Sequence, residues 1–314
     1  MGGSRACATP CRSSGRTGLA ENVVVAWGGT RPPPRAPELT GRRRPRDVNR
    51  HAMSFDPEQI HVKPFVHQTQ KMKSLHFSIA EVQSCMNLAQ PDSLDLAYTR
   101  TMMGFLLFHP RPLRIGMIGL GGGSLAKFCY RHLPRSDITV LEINPHVIAL
   151  RRDFAVPEDD ARFRVIRADG SRYVRAHEGV FDVLLVDGYD CDGLPGALSS
   201  KRFYDDVFDC LRASGVMAAN IHLENEEFSL LVARVGRSFN SKALAVSEHE
   251  SGNAIVFARK DCSLVGCQDE DLVRPETVEI AQWKSLQVAF GRIRAALGKQ
   301  PGDGLARVKQ GLIR

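Results

Sequence analysis

Four acidic side chains recur at equivalent places along the middle of the chain, and their spacing suggests one binding crevice. Glu142 closes an apolar run at 138–143, Asp169 follows one at 163–167, and Asp187 and Asp190 follow one at 181–186. Ahead of them stands Ile118-Gly119-Leu120-Gly121-Gly122-Gly123-Ser124, a glycine loop between an apolar run and an amphipathic segment. Glycines there let the backbone turn tightly and let a ligand approach the start of the next helix. Glu142 lies 19 residues beyond Gly123, where a carboxylate can accept both ribose hydroxyls of an adenosine. If the apolar runs are parallel strands, all four acids open on one rim. Such a concentration of negative charge disfavours a phosphate-bearing dinucleotide. It suits a cationic donor, such as a sulfonium, and a cationic acceptor, such as an amine.

The elements that must position these residues follow from periodicity. Strands are predicted at 114–118, 138–143, 163–167, 181–186 and 216–220, with helices at 124–133, 145–154, from 171, 199–211 and 226–239. That alternation predicts a parallel sheet with helices on both faces. Two further strands, 243–247 and 254–258, are separated only by Glu248-His249-Glu250-Ser251-Gly252-Asn253. This is too short for a crossover helix, so they pair as an antiparallel hairpin. The expected fold class is α/β: a doubly wound, mostly parallel seven-stranded sheet closed by that hairpin, with a small N-terminal β element over 65–88. This is the layout of the Rossmann-like methyltransferase fold of class I S-adenosylmethionine-dependent enzymes, not of dinucleotide dehydrogenases. A helix over 94–108, ended by Pro110 and Pro112, and a last helix over 276–297 complete the prediction.

Composition removes other function classes. With 43% hydrophobic and 25% charged residues among 314, the chain reads as a globular protein with a sizeable core. The whole excess charge of +7 falls in residues 1–52, which hold ten Arg, no Lys and three acids. The remainder is balanced, so neither a nucleic-acid partner nor a membrane partner is expected. Eight scattered cysteines, with no His pair at ligand spacing, suggest no metal site and a reducing, cytoplasmic setting. The chain is divided into a disordered basic extension (1–52), a small β element with a helix (53–110), a Rossmann-like catalytic domain (111–260), and a C-terminal helix and tail (261–314). The extension suits a segment upstream of a native start at Met53, an organellar transit segment or a basic arm; a chain starting at Met53 is expected to fold. His61, His67 and His76 follow no ligand spacing and are read as surface or core residues. Ser199-Ser200 is read as a helix N-cap.

The motifs form an ordered series: Gly119-Leu120-Gly121-Gly122-Gly123, Leu141-Glu142-Ile143-Asn144, Ala168-Asp169-Gly170, Asp187-Gly188-Tyr189-Asp190, Phe203-Tyr204 and Gly215-Val216. From about residue 83 to 260 the chain resembles the spermidine synthase group of polyamine aminopropyltransferases. The resemblance implies a homo-oligomeric transferase that takes decarboxylated S-adenosylmethionine as co-substrate and a small-molecule amine as acceptor, with no metal. It implies that Gly119, Gly121, Gly122, Gly123 and Glu142 hold the donor, with Glu142 on the ribose and Asp169-Gly170 facing the adenine. It makes Asp187 the catalytic residue, and Asp190, Tyr98 and, as a looser match, Gln83 the acceptor-binding residues. Two places depart from the family pattern. Gly121 or Gly122 stands where the family loop carries an aspartate, so S-adenosylmethionine itself stays open as donor. Tyr98-Thr99-Arg100 stands for Tyr-His-Glu, which puts a cation where an acid would help bind an amine. Two alternatives remain at this level: a methyltransferase or aminocarboxypropyl transferase on the same fold, and a ligand-binding protein of that fold without catalysis.

Overall fold

The computed structural model describes residues 61–78, 82–190, 193–248, 252–262, 264 and 272–298; the extension 1–52 lies outside them. Three short antiparallel strands come first: β1 (Phe65–Gln68), β2 (Met72–His76) and β3 (Ser84–Asn87). Helix α1 (Ala97–Met102) runs on into a 3-10 helix, Met103–Leu107, where a single helix over 94–108 was expected. The central region then alternates: β4 (Arg114–Ile118), α2 (Ser124–His132), β5 (Asp137–Glu142), α3 (Pro145–Ala149), β6 (Phe163–Arg167), α4 (Gly170–Ala176), β7 (Phe181–Val186), α5 (Gly196–Ser199), α6 (Lys201–Cys210), β8 (Leu211–His222) and α7 (Phe228–Ser238). The chain closes with β9 (Ala243–Glu248), β10 (Asn253–Arg259) and α8 (Ile280–Gly298).

The seven-stranded sheet has the order β6-β5-β4-β7-β8-β10-β9. Neighbours from β6 to β8 are parallel, and β10 is antiparallel to both β8 and β9. This is the predicted doubly wound sheet with its hairpin. Every residue of β7 is buried, as a central strand covered on both faces requires. One expected boundary moves for a local reason. α3 stops at Ala149, because the amides of Leu150 and Arg151 bond three residues back instead of four, and Ala155 takes a φ of 53°. Ser200 does cap α6, accepting the Phe203 amide at 3.1 Å.

The core lies on both faces of the sheet. One cluster joins Leu75 and Met86 of the N-terminal sheet to Met102, Phe128 of α2 and Phe290 and Ile293 of α8. The other joins Val174 of α4, Val207 of α6 and Val235 of α7 to the opposite face. Segments on either side of the alternating region therefore share one core with it.

An ion pair buried on its carboxylate side ties them together. Glu248, at the end of β9, is fully buried; Arg292 of α8 reaches it with Nη1 at 2.6 Å and Nη2 at 2.5 Å, and Thr101 of α1 donates to it at 3.0 Å. Removing one partner of a buried pair strands a charge, at a cost of about 3–5 kcal/mol. Arg292→Met should therefore lower the thermal midpoint by several degrees, and adding Glu248→Gln should recover part of the loss. Equal melting of Arg292→Met and wild type would show that the pair contributes nothing.

Candidate active site

The parallel strands end on one rim, and there a cavity of about 610 Å³ opens. Its wall contains Gly119, Gly121, Glu142, Asp169, Gly170, Asp187, Asp190, Tyr98 and Gln83, so nine of the eleven residues singled out above converge. Gly122 and Gly123 do not. Both pack beneath the loop: a Cβ on Gly122 would lie 2.6 Å from the Ser84 hydroxyl and 2.9 Å from the Phe154 ring, and Gly123 faces Val156. Ser84 fills the space that a side chain at 122 would need.

Gly119 is glycine for a different reason. Its φ is +94°, and a Cβ would run into the carbonyl oxygen of Asp187. The loop is stitched between strand ends: the Gly119 amide donates to Leu141 and the Asp187 amide donates to Ile118, each at 2.9 Å. Glu142 completes the stitching. Only 7% exposed, it accepts the Leu120 amide on one carboxylate oxygen and the Asn144 amide on the other, both at 2.8 Å. Burial pushes its carboxyl above the ordinary range, while the backbone N–H groups pull it back down. The remaining lone pairs of this carboxylate are available to a diol.

Asp169 caps α4, accepting the Ser171 amide at 2.9 Å and the Ser171 hydroxyl at 2.7 Å. Asp187 is half-buried. One of its oxygens accepts the Tyr98 hydroxyl at 3.1 Å and the other accepts the Asn220 amide at 2.8 Å. Burial raises its pKa, against the lowering effect of these hydrogen bonds and of nearby His222. The same carboxylate, together with burial, holds the Tyr98 phenol well above its usual range. Asp190 is exposed and forms an isolated antiparallel bridge with Gly193.

Several features differ from the sequence reading. Arg100 is no part of the wall: its guanidinium turns back to the carbonyls of Leu94 at 2.7 Å and Asp95 at 2.8 Å. The cation expected beside the acceptor is thus spent on capping backbone. His61, partly exposed, also lines the cavity, where the Val62 carbonyl is held by Asn144 at 2.8 Å. His67 is exposed and His76 buried, as read. Tyr189 is a wall residue; its hydroxyl donates to the Asn220 carbonyl and accepts the His222 amide, and its ring stacks on His222 at 4.3 Å.

Sequence reasoning missed Asn220, His222 and Asn253, all in the wall. For Asn220 there was a signal: an amide inside the apolar run Val216-Met217-Ala218-Ala219, at a strand end, needs a buried partner. Among the described residues no three His, Cys, Asp or Glu side chains form a metal-ligand cluster, and no helix is long and apolar enough to cross a membrane.

Sheet order, glycine loop and strand-end carboxylates together define the class as the S-adenosyl-binding α/β fold. The comparisons narrow it. The model of the spermine/spermidine synthase domain matches residues 95–247. A polyamine aminopropyltransferase of Chromobacterium violaceum is 32% identical over 240 residues, 76% of this chain and 86% of that protein. A probable spermidine synthase of Corynebacterium glutamicum superposes with a TM-score of 0.58 at 18% identity, covering 66% of this chain and 80% of that one. A spermidine synthase solved with the transition state analogue AdoDATO gives 0.56 at 21% identity, covering 74% and 87%. The chain belongs to the spermine/spermidine synthase family.

The geometry of Glu142 yields a test. Hydrogen bonds to a charged group are worth about 1.5–3 kcal/mol. Glu142→Ala should weaken binding of methylthioadenosine or S-adenosylmethionine roughly 10- to 100-fold by calorimetry. Unchanged affinity would move the nucleoside elsewhere.

Proposed function

We propose that the chain is a transferase that moves an aminopropyl group from decarboxylated S-adenosylmethionine to the nitrogen of a small amine. The observation that carries this reading is the Asp187 carboxylate, held by Tyr98 and Asn220 in the same wall as Glu142 and the glycine loop. Family membership supports the donor class.

The chemistry is balanced as follows. A sulfonium carbon is already electrophilic, so the protein need supply no further activation. The acceptor nitrogen attacks that carbon in line, the C–S bond breaks, and its electron pair stays on sulfur as a neutral thioether. An alkylammonium with a pKa of about 10.4 has no free lone pair at neutral pH. Asp187 accepts that proton and passes it on to solvent, and the carboxylate so restored steadies the nitrogen as positive charge moves onto it in the attack. Glu142 and the loop fix the nucleoside, which converts an encounter of two solutes into a reaction within one crevice. Asp190, exposed at the mouth, draws the far end of the amine.

Asp187→Asn keeps shape but loses charge and proton acceptor. Turnover should fall roughly 10²–10⁴-fold, with donor affinity little changed. The sign of the stability effect is also set. A carboxyl whose folded pKa lies above its unfolded value contributes stability below the unfolded pKa, and that stability is lost as pH rises through the folded pKa. At neutral pH the buried charge is a burden, so the asparagine variant should melt no lower than wild type. For the same reason the acid limb of kcat/KM in wild type should sit above the ordinary carboxylate range. Asp190→Asn should raise the KM of the amine more than it lowers kcat. An Asp187→Asn enzyme turning over at the wild-type rate, assayed by methylthioadenosine release over a panel of amines, would overturn the assignment.

A further inference from the structure

Asp187 does not stand alone in the wall. Asn220 Nδ2 donates to it at 2.8 Å, and Asn253 Nδ2 donates in turn to Asn220 Oδ1 at 2.8 Å. Both amides are buried, at 3% and 5% exposure. Their orientations are forced by chemistry. An ionised carboxylate only accepts, so Asn220 must turn its NH₂ toward Asp187 and its oxygen toward Asn253. Asn253 must then present its own NH₂. The sheet makes this chain possible: β10 runs antiparallel to β8, so the start of one strand pairs with the end of the other, with Asn253 opposite His222 and Ile255 opposite Asn220.

We infer that Asn253 and Asn220 are positioning residues for the transfer reaction, a two-amide relay that locks a donor onto Asp187 and keeps it in its proton-accepting form. Asn253 acts only through Asn220. The inference rests on the catalytic role given to Asp187, yet it concerns a property of the protein that can be read without turnover. Other groups around Asp187 are Tyr98 from α1, Tyr189 and Asp190 from its own loop, and His222 from β8. Of these, Tyr98 bonds the carboxylate oxygen that Asn220 does not hold.

The test reads the titration of Asp187 directly, from its carboxyl carbon resonance in protein labelled at aspartate and assigned with Asp187→Asn. In wild type the Asn220 side-chain amide resonances should move with the same midpoint as Asp187. An Asn220 amide that stays still while Asp187 titrates would overturn the relay, and this measurement needs no folded variant. Asn253→Asp can only accept, so it should turn Asn220 over and set oxygen against Asp187. The midpoint should then rise by about one unit or more, the scale of one hydrogen bond to a charge, or roughly tenfold in ionisation. The acid limb of kcat/KM should rise with it, while methylthioadenosine affinity stays within about twofold.

A new carboxylate also acts through space, and a double-mutant cycle separates the two effects. In an Asn220→Leu background, Asn253→Asp should shift the Asp187 midpoint much less. Equal shifts in both backgrounds would mean that only the charge is felt, and the relay would be wrong. If wild type titrates as expected but transfers nothing to any amine, the proposed reaction fails while the relay stands.

Discussion

Everything at the rim depends on one close contact between backbones. Gly119 lies so near the Asp187 carbonyl that no side chain fits between them, and the Asp187 amide is bonded to Ile118. The residue that opens the glycine loop and the carboxylate at the end of β7 are therefore fixed to each other through adjacent strands, β4 and β7. Reacting groups held this way need no search once both substrates are bound, and misplacement by even an ångström is costly in such reactions. A side chain at 119 would push apart the two halves of the site.

Around that contact the protein manages a buried carboxylate, Glu142, and a half-buried one, Asp187, differently. Glu142 is held by backbone amides, that of Leu120 in the glycine loop and that of Asn144 just beyond its own strand, so it is as much a part of the scaffold as of the cavity wall. Asp187 is satisfied by side chains, a phenol and an amide, each of which can yield or turn. A carboxylate held by fixed peptide dipoles suits a constant task such as gripping a diol. One held by side chains suits a group that must gain and lose a proton.

How far the site was legible depends on which strand pairing built it. The acids at the ends of β5, β6 and β7 could be read because parallel strands bring their C-terminal ends to a common rim, and periodicity alone identifies those strands. Asn253 could not be read so. It begins an antiparallel strand, and its neighbour Asn220 lies 33 residues back in the chain. Arg100 misled for a related reason: its spacing put it beside Tyr98, but a helix turn let it reach back to Leu94 and Asp95. Gly122 and Gly123 looked like ligand-facing glycines, although the crowding of Ser84, Phe154 and Val156 is what excludes side chains there. Ser84 comes from the N-terminal sheet, which no local pattern connects to the loop.

The antiparallel hairpin has a meaning beyond closing the sheet. It returns the chain to the rim at Asn253, immediately after Glu248 has anchored α8 and the helix that bears Tyr98. On the proposed function, the nucleoside side of the cavity includes Gly119, Glu142 and Asp169, while the amine side draws on Tyr98 of α1, Asn220 of β8 and Asn253 of β10. The two halves can thus diverge separately. On the proposed function, substitutions around Asn253 would retune which amine is accepted while the nucleoside side stays intact, so one donor with different acceptors is an outcome this architecture makes easy.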